Sequence, residues 1–480
     1  MFKVSLIKKI TLTLLIVVIG ILIVSRLWSG DNTDNLIGGC LISHGALIYK
    51  DFFSHHAPLS YYLVALVDKI TGSCSYIFPQ LFFYTFYIGC ILLLLNYTKS
   101  YLSAIFLLFT YGSLGEVYGS TFVMAESWLA GVTILIFILL FFHKSINRVL
   151  FWVIFIIVQF SIPASMPLYF PVTILLFIYF TIKERRKIFY LFFASFLPFF
   201  TFLLFISITN YYHYAFLFNT TYYVPYSGTL LQQYTSFFSS TFSVIIQLFT
   251  SFDVYKHRDT YAFIFSTFIL LTWFYLHIMQ RKQIYGKNKL LFYFNLLIFL
   301  SLTLHPGGFH MYPLFIFALT ELLFIFQILK INRLQFTVLS ILFLLLFRLF
   351  VTELSIFYFH GDYDPSRTQY VKFILSHSKK EDRILFYPYQ NELYLLTNRL
   401  PGSYYYFLYP WIAEQPNAQD IVIRNIKKEK PKIIIIDNVS LVLGKYSALE
   451  FLSKLENNLE NNKNYKNLSK NNSVLMYVEN

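Results

Sequence analysis

Residues 122–143, FVMAESWLAGVTILIFILLFFH, decide the fold. They form a long apolar run that contains a single charged residue, Glu126. About 18 or more apolar residues are what a helix needs to cross the hydrocarbon core of a membrane at 1.5 Å per residue. Similar segments recur along the chain, and we expect eleven spans, at about 10–25, 76–97, 101–115, 122–143, 149–163, 167–183, 188–209, 260–279, 288–305, 310–329 and 334–352. The sequence therefore predicts a polytopic α-helical membrane protein.

The composition of the 480-residue chain agrees with this prediction. Hydrophobic residues make up 57% of it and charged residues 13%, against roughly 25% charged residues in soluble domains. The formal net charge of +14 does not indicate nucleic-acid binding, because the basic residues form short clusters between apolar runs, where membrane topology alone would place them. We expect membrane lipids, and no nucleic acid, among the partners.

Basic residues also indicate the orientation. With a cytoplasmic N-terminus, the inner connections hold most of the Lys and Arg residues of the membrane part, including Arg185, Arg186 and Lys187, as the positive-inside rule requires. An odd number of spans then places the residues after about 352 outside an inner or plasma membrane.

We expect residues 1–352 to be the membrane domain, with two long outer loops. The first loop, 26–75, contains juxtamembrane helices, and its segment 58–70 is too short to span and should lie at the interface. The second loop, 210–259, is rich in Tyr, which suits the membrane–water boundary.

From about residue 353 the composition changes to that of a soluble domain. The short β-like runs Ile384–Tyr387 and 433–436 are separated by helix-compatible stretches, so we expect 353–480 to be an extracytoplasmic α/β domain. Within it, 394–407 carries aromatic residues suited to the acceptor or the membrane surface. The Asn-rich segment 457–472 is typical of a solvated loop or weak helix.

Acidic residues of the membrane part gather on the expected outer side, and the first loop adds a lysine and two histidines. The simplest interpretation is a solvated loop whose charges keep it out of the bilayer. The order of the residues favours a functional one. The residues concerned are Asp31, Gly45, Tyr49, Lys50, Asp51, His56, Pro58 and Leu59.

This order resembles the first outer loop of GT-C-type glycosyltransferases related to protein O-mannosyltransferases and the bacterial aminoarabinose transferases. In that family an Asp, often an Asp-Glu pair, follows the first span. Here the pair is Asp31-Asn32, and Asp34 is the alternative counterpart. Many members have Lys-Pro-Pro-Leu where this chain has His56-Ala57-Pro58-Leu59, so His56 or Lys50 would replace the phosphate-binding lysine.

The resemblance implies transfer of a sugar from a polyprenyl-phosphate-linked donor to a hydroxyl of a glycan, lipid or protein acceptor on the outer side. Such transfer requires a base for the hydroxyl proton and cations for the departing phosphate. We expect Asp31, or alternatively Asp34, to be the base. The residues expected to bind substrate are Tyr49, Lys50, Asp51, His56, His310, Tyr312 and Arg348.

Residues beyond the first loop have structural alternatives. Glu126 matches a second acidic residue of the family, but an acid at a helix N-terminus is also favourable without any function. His310 and Tyr312 match a family feature near the lipid donor, although Gly and Pro alone explain their turn. Arg348 lies within the last span, where a charge is costly and suggests function, unless it snorkels to the interface. Glu321, in the middle of a span, should face the bundle interior.

Metal and cysteine signals are weak. The acidic residues could hold a divalent cation, but they lack a fixed spacing. Cys40, Cys74 and Cys90 predict neither a metal knuckle nor a disulfide framework.

Two other classes of function stay open. A transporter or a lipid or polysaccharide flippase would be favoured by inverted repeats and by charges along a central path. A scaffold whose outer domain binds a partner would leave the loop residues unexplained.

Overall fold

The computed structural model describes residues 2–24, 31–114, 121–184, 187–223, 232, 235, 258–279, 284–286, 288–303, 308–328, 337, 349, 365–415, 417–437, 449–469 and 474–479. The longer helices, in chain order, are α1 (Phe2–Val24), α2 (Asp31–Ser43), α3 (Leu59–Thr71), α4 (Ile77–Thr98), α5 (Tyr101–Ser113), α6 (Ala125–Phe142), α7 (Arg148–Ser165), α8 (Phe170–Lys183), α9 (Ile188–Ile206), α10 (Arg258–Met279), α11 (Lys289–Leu302), α12 (Tyr312–Ile328), α13 (Pro365–His377), α14 (Ala418–Glu429) and α15 (Leu449–Glu460). Shorter helical segments are Pro167–Tyr169, Ile208–Tyr211, the π-helix Tyr212–Tyr223, Gly308–Met311, Glu392–Thr397 and Pro410–Ala413.

Apolar helices occupy the predicted spans that fall among the described residues. Those long and apolar enough to cross a membrane are Leu6–Ile23, Ile77–Thr98, Ala125–Phe142, Arg148–Ser165 and Ile188–Ile206, and shorter apolar helices occupy the other spans. The predicted span 334–352 lies outside the described residues except for positions 337 and 349. The chain is a multi-pass membrane protein, as predicted.

The chain divides into two compact units. The first comprises Met1–Ser25, Gln80–Ile208 and Ser227–Gly361, and the second comprises Arg26–Pro79, Thr209–Tyr226 and Asp362–Asn480. The second unit thus combines most of the first loop and part of the second with the C-terminal segment. The domain boundary predicted near 353 lies outside the described residues.

Helices α6 and α12 form the core of the first unit. Every residue of α6 from Glu126 to Leu140 is buried, and α12 packs directly against it. A helix that is apolar on all sides is stable only when it is surrounded by other helices. Helix α7 packs on α6, and α10 and α11 pack on α12.

In the second unit, α2 and α3 approach each other closely. Added Cβ atoms at Gly38 and Gly39 would lie 2.3 Å from Tyr61 and Val64 respectively, so only glycine permits this contact. A disulfide joins Cys40 to Cys74 just beyond α3. Neither the pairing nor the close approach was evident from the sequence.

The C-terminal segment contains a four-stranded sheet in the order β1-β2-β4-β3. Its strands are β1 (Ile384–Tyr387), β2 (Ile433–Asp437), β3 (Tyr465–Asn467) and β4 (Val474–Glu479). The pair β1–β2 is parallel and fully buried, as expected for continuous apolar runs, and the other pairs are antiparallel. The predicted α/β character is confirmed.

One expectation for this segment was wrong. Tyr394, Tyr406 and Phe407 are each at most 2% exposed, so they do not form a surface for an acceptor or for the membrane. They pack inside the unit, because a large aromatic side chain gains more from burial than from contact with water.

Candidate functional site

Two carboxylic acids open helix α2 in the second unit. Asp31 and Asp34 lie in its first turn, where negative charge is favourable to the helix dipole. Asn391 donates a hydrogen bond from Nδ2 to Oδ1 of Asp34 across 357 residues of sequence. The hydroxyl of Tyr409 donates to Oδ1 of Asp31 at 3.3 Å. The first loop and the C-terminal segment therefore build this site together.

The two carboxyl groups have different environments. Asp34 is 0% exposed, and its Oδ2 has no hydrogen-bond partner in the described part of the chain. Burial, and then the neighbouring charge of Asp31, raise the pKa of Asp34 well above its ordinary value, which favours the neutral acid. Asp31 is only half-buried. Of the two, Asp31 is the one that a solvent-borne molecule can reach.

Tyrosines surround both acids. Tyr406 and Tyr409 are buried and Tyr389 is partly buried, and the Tyr406 hydroxyl donates to the main-chain oxygen of Asp34 at 3.3 Å. Burial, followed by the charges of Asp34 and Asp31, raises the pKa of Tyr389 well above its ordinary value. The Tyr389 hydroxyl therefore stays protonated, and the hydroxyls of Tyr406 and Tyr409 donate hydrogen bonds to Asp34 and Asp31 respectively. Sequence reasoning missed all three as site residues, since it placed the aromatic run 394–407, with Tyr406, on the surface and did not single out Tyr389 or Tyr409.

The other predicted residues of the first loop fall into two groups. Tyr49 is buried, stacks on Tyr214 with ring centroids 5.3 Å apart, and donates its hydroxyl to the main-chain oxygen of His56 at 2.7 Å. Lys50 and Asp51 are exposed, and Asp51 accepts a hydrogen bond from the main-chain nitrogen of Leu47 at 2.8 Å. The contact made by Asp51 stabilises a turn, so the structure gives this acid a local role.

Glu126 and His310 meet in the first unit although 184 residues separate them. Nδ1 of His310 lies 2.5 Å from Oε1 of Glu126, and the two side chains are 18% and 5% exposed. Glu126 is the second residue of α6. The main-chain nitrogen of Met124, which precedes the helix, donates a hydrogen bond to Ser127 Oγ and so stabilises the helix start. His310 lies in the short 3₁₀ helix before α12, and Tyr169 donates to its main-chain oxygen at 2.8 Å. The structure thus pairs two residues that the sequence singled out separately.

Of the remaining predicted residues, Tyr312 is fully buried at the start of α12. Arg348 lies outside the described residues.

A second glutamate–histidine pair lies deeper in the first unit. Oε2 of Glu321 accepts from Trp273 Nε1 at 2.5 Å and from Asn295 Nδ2 at 2.8 Å, and it lies 3.2 Å from His277 Nε2. The side chains of His277 and Glu321 are 3% and 1% exposed. Asn295 also donates to the hydroxyl of Tyr285 at 2.9 Å. Glu321 therefore faces the bundle interior, as predicted.

Among the described residues, the one group with metal-ligand spacing is Cys40, His44 and Cys74, whose ligand atoms lie within 4.8 Å of one another. Its two sulfur atoms are bonded to each other and offer no thiolate. The carboxylates of the candidate site form no such group in the described ranges. The divalent cation stays a prediction.

Comparison with known proteins identifies the fold. No protein-family model matches the sequence, and no curated protein matches it. The crystal structure of ArnT from Cupriavidus metallidurans bound to undecaprenyl phosphate matches with a TM-score of 0.58 and 10% identity, over 98% of this chain and 97% of that one. The chain has the ArnT fold. The GT-C-type architecture predicted from the first loop is thereby confirmed, and at this identity the likeness concerns the fold alone.

A second solved structure is an oligosaccharyltransferase of Archaeoglobus fulgidus in complex with Zn and sulfate. It matches 88% of this chain and 68% of its own length, with 13% identity and a TM-score of 0.44. At that TM-score it carries no argument here.

Proposed function

We propose that the chain is an integral-membrane glycosyltransferase. It transfers a hexosyl or pentosyl group from a polyprenyl-phosphate-linked donor to an acceptor hydroxyl on the outer face of an inner or plasma membrane. The observation that carries the proposal is the half-buried Asp31, held by Tyr409 at the start of α2, in a chain with the ArnT fold. The ArnT structure contains undecaprenyl phosphate, which supports a polyprenyl phosphate as the carrier.

In the proposed reaction, a carboxylate oxygen of Asp31 takes the proton of the acceptor hydroxyl. The hydroxyl oxygen then forms a bond to the anomeric carbon as the bond between that carbon and the phosphate oxygen breaks. The sugar passes through an oxocarbenium-like state, and the polyprenyl phosphate leaves with the bonding electrons. The hydrogen bond from Tyr409 orients Asp31 for this step.

Asp34 has a supporting role in this proposal. A fully buried carboxyl with a raised pKa is mostly neutral and out of reach of an acceptor, so it does not suit a general base. Its hydrogen bonds with Asn391 and Tyr406 hold the first turn of α2 in place.

We assign the donor phosphate to cationic groups. His310 is the strongest candidate, because its contact with Glu126 orients the imidazole and 18% of its side chain stays exposed. His56, Lys50 and Arg348 are further candidates. The proposal also requires a cytoplasmic N-terminus and a C-terminal segment on the outer side.

A matched pair of substitutions tests the base. Asp31→Asn keeps the shape of the side chain but removes its basicity, so transfer should fall by about 10²–10⁴-fold. Asp34→Asn should change transfer by less than about threefold, since Asn resembles the neutral acid. Transfer is measured with membranes containing each variant, a panel of labelled hexosyl and pentosyl polyprenyl phosphates, and cell-envelope acceptors.

Binding of undecaprenyl phosphate serves as the folding control, and both variants should retain it. If Asp34→Asn alone abolishes transfer, Asp34 is the base. If both variants transfer normally, Asp31 and Asp34 are excluded as the general base. If the wild type transfers none of the labelled sugars, a transporter or flippase becomes the better interpretation.

A further inference from the structure

A groove in the C-terminal segment lies apart from Asp31 in sequence and has no part in the proposed transfer step. It has a cavity volume of about 390 Å³ and lies where the ends of α14 and α15 meet β3. Cavities of roughly 300–1,000 Å³ are typical of small-molecule sites. The lining residues are Ile426, Lys427, Lys430, Asn458, Asn461, Asn462, Lys463, Asn464 and Tyr465.

The charge of this groove has one sign. Lys427, Lys430 and Lys463 are exposed along it, and no acidic residue is among the lining residues. Two acids adjoin the lining residues in sequence, Glu429 and the exposed Glu460, and the carboxylate of Glu429 lies 3.6 Å from Arg383 Nε and 3.3 Å from Lys428 Nζ. The groove therefore attracts anions.

Amides and an apolar floor complete the lining. Four asparagine side chains provide donors and acceptors together, which suits a ligand rich in hydroxyl groups. Ile426 and Tyr465 are buried beneath them, and Tyr465 is fixed by the hydrogen bond from its hydroxyl to the main-chain oxygen of Pro431 at 3.0 Å. Ammonium groups, amides and an aromatic floor together suit a sugar that carries carboxylate or phosphate groups.

The helix dipole offers a different explanation for the lysines. Cations in the last turn of α14 offset the partial negative charge of its terminal carbonyls. Lys428 occupies that turn as well, yet it does not line the groove, and Lys463 lies beyond the end of α15. The dipole accounts for Lys427 and Lys428 equally, yet of these two residues only Lys427 lines the groove.

We propose that this groove binds an acidic glycan, as a docking site for the acceptor at a distance in sequence from the transfer chemistry. The claim that the bound glycan is the acceptor of transfer rests on the proposed function. The claim that the groove binds an acidic glycan does not. A concave, amide-rich lining favours a polyhydroxylated ligand over a flat lipid surface.

Binding of tetragalacturonate to the full chain in nanodiscs of uncharged phosphatidylcholine tests the proposal, with maltotetraose as the neutral counterpart. The acidic sugar should bind, the neutral sugar should bind at least about fivefold more weakly, and added salt should weaken the interaction. The double variant Lys427→Gln/Lys463→Gln should raise the Kd for tetragalacturonate at least about fivefold. The control Lys428→Gln/Lys454→Gln removes the same net charge from residues that do not line the groove, and should change Kd less than twofold.

Equal Kd values for the two double variants, or equal binding of the two sugars, would overturn the proposal. The Asp31→Asn variant should bind tetragalacturonate like the wild type. Binding without transfer by the wild type would therefore count against the glycosyltransferase proposal alone, and transfer without binding against the groove alone.

Discussion

The described residues of the first unit include two glutamate–histidine pairs that differ in how completely they are enclosed. Glu321 receives Trp273 and Asn295 on one oxygen and lies beside His277, and the pair is sealed. Glu126 meets His310 at the beginning of a helix, and the imidazole keeps 18% of its surface exposed. The hydrogen bonds from Trp273 and Asn295 to Oε2 of Glu321 favour one packing arrangement of the surrounding helices. A pair with an exposed face can also engage a ligand.

Substitution of Glu321, in the enclosed pair, should have the largest effect, and that effect is on stability. Glu321→Leu would leave the Trp273 indole and the Asn295 amide without their acceptor in an apolar interior, at a cost of about 3–5 kcal/mol. We expect a clearly lower Tm in detergent. Glu321→Gln, which keeps an acceptor oxygen, should lose much less. Equal Tm values for the two variants would show that the network does not stabilise the bundle.

Substitution of Glu126, in the accessible pair, should have a smaller effect. It should lower activity and leave stability nearly unchanged. Glu126→Gln removes the carboxylate that orients His310, so kcat/KM for transfer should fall on the order of 10²-fold. The Tm should change little, because Gln retains a hydrogen bond at the same helix end. The matched Glu321→Gln variant should keep nearly normal activity per folded molecule. Normal activity of Glu126→Gln would mean that Glu126 only favours the start of α6.

Asp34, in the second unit, is a third buried carboxyl group, and its substitution should have the smallest effect of the three. Since its pKa is raised in the folded protein, the native state holds the proton more tightly than the unfolded chain does. Asp34 therefore favours folding at low pH, and this contribution is lost as the pH rises from the ordinary value of 3.8 through the higher native pKa.

In Asp34→Asn the decline in stability over that pH range should be shallower, and Tm at neutral pH should be equal or higher. Thermal unfolding between pH 4 and pH 8 measures it. An unchanged slope would indicate that Asp34 titrates alike in both states.

The parts of the fold that depend on local sequence were predictable. The apolar length of α6 and the continuous runs of β1 and β2 are properties of neighbouring residues, and each element forms where it was expected. The close approach of α2 to α3 through Gly38 and Gly39 depends on which side chains face each other, so the sequence contained no signal for it.

The candidate site was predictable in its members and not in its connections. Glu126 and His310 were each singled out, but only the fold brings them to 2.5 Å. The choice between Asp31 and Asp34 rests on Asn391 and Tyr409, hundreds of residues away. Tyrosines near residue 406 were expected at a surface, because aromatic residues suit an interface and a buried site equally well.

Helix α12 connects the two glutamate–histidine pairs of the first unit. His310 lies two residues before its first residue, Tyr312, and Glu321 lies nine residues after Tyr312, which is about 14 Å along a helix axis. Anchoring at Glu321 prevents the helix from sliding along its axis, since a shift would pull the carboxylate away from Trp273 and Asn295. The imidazole of His310 is thereby held at a fixed height along the helix axis, which in the proposed function is the height at which a lipid-borne phosphate would meet it.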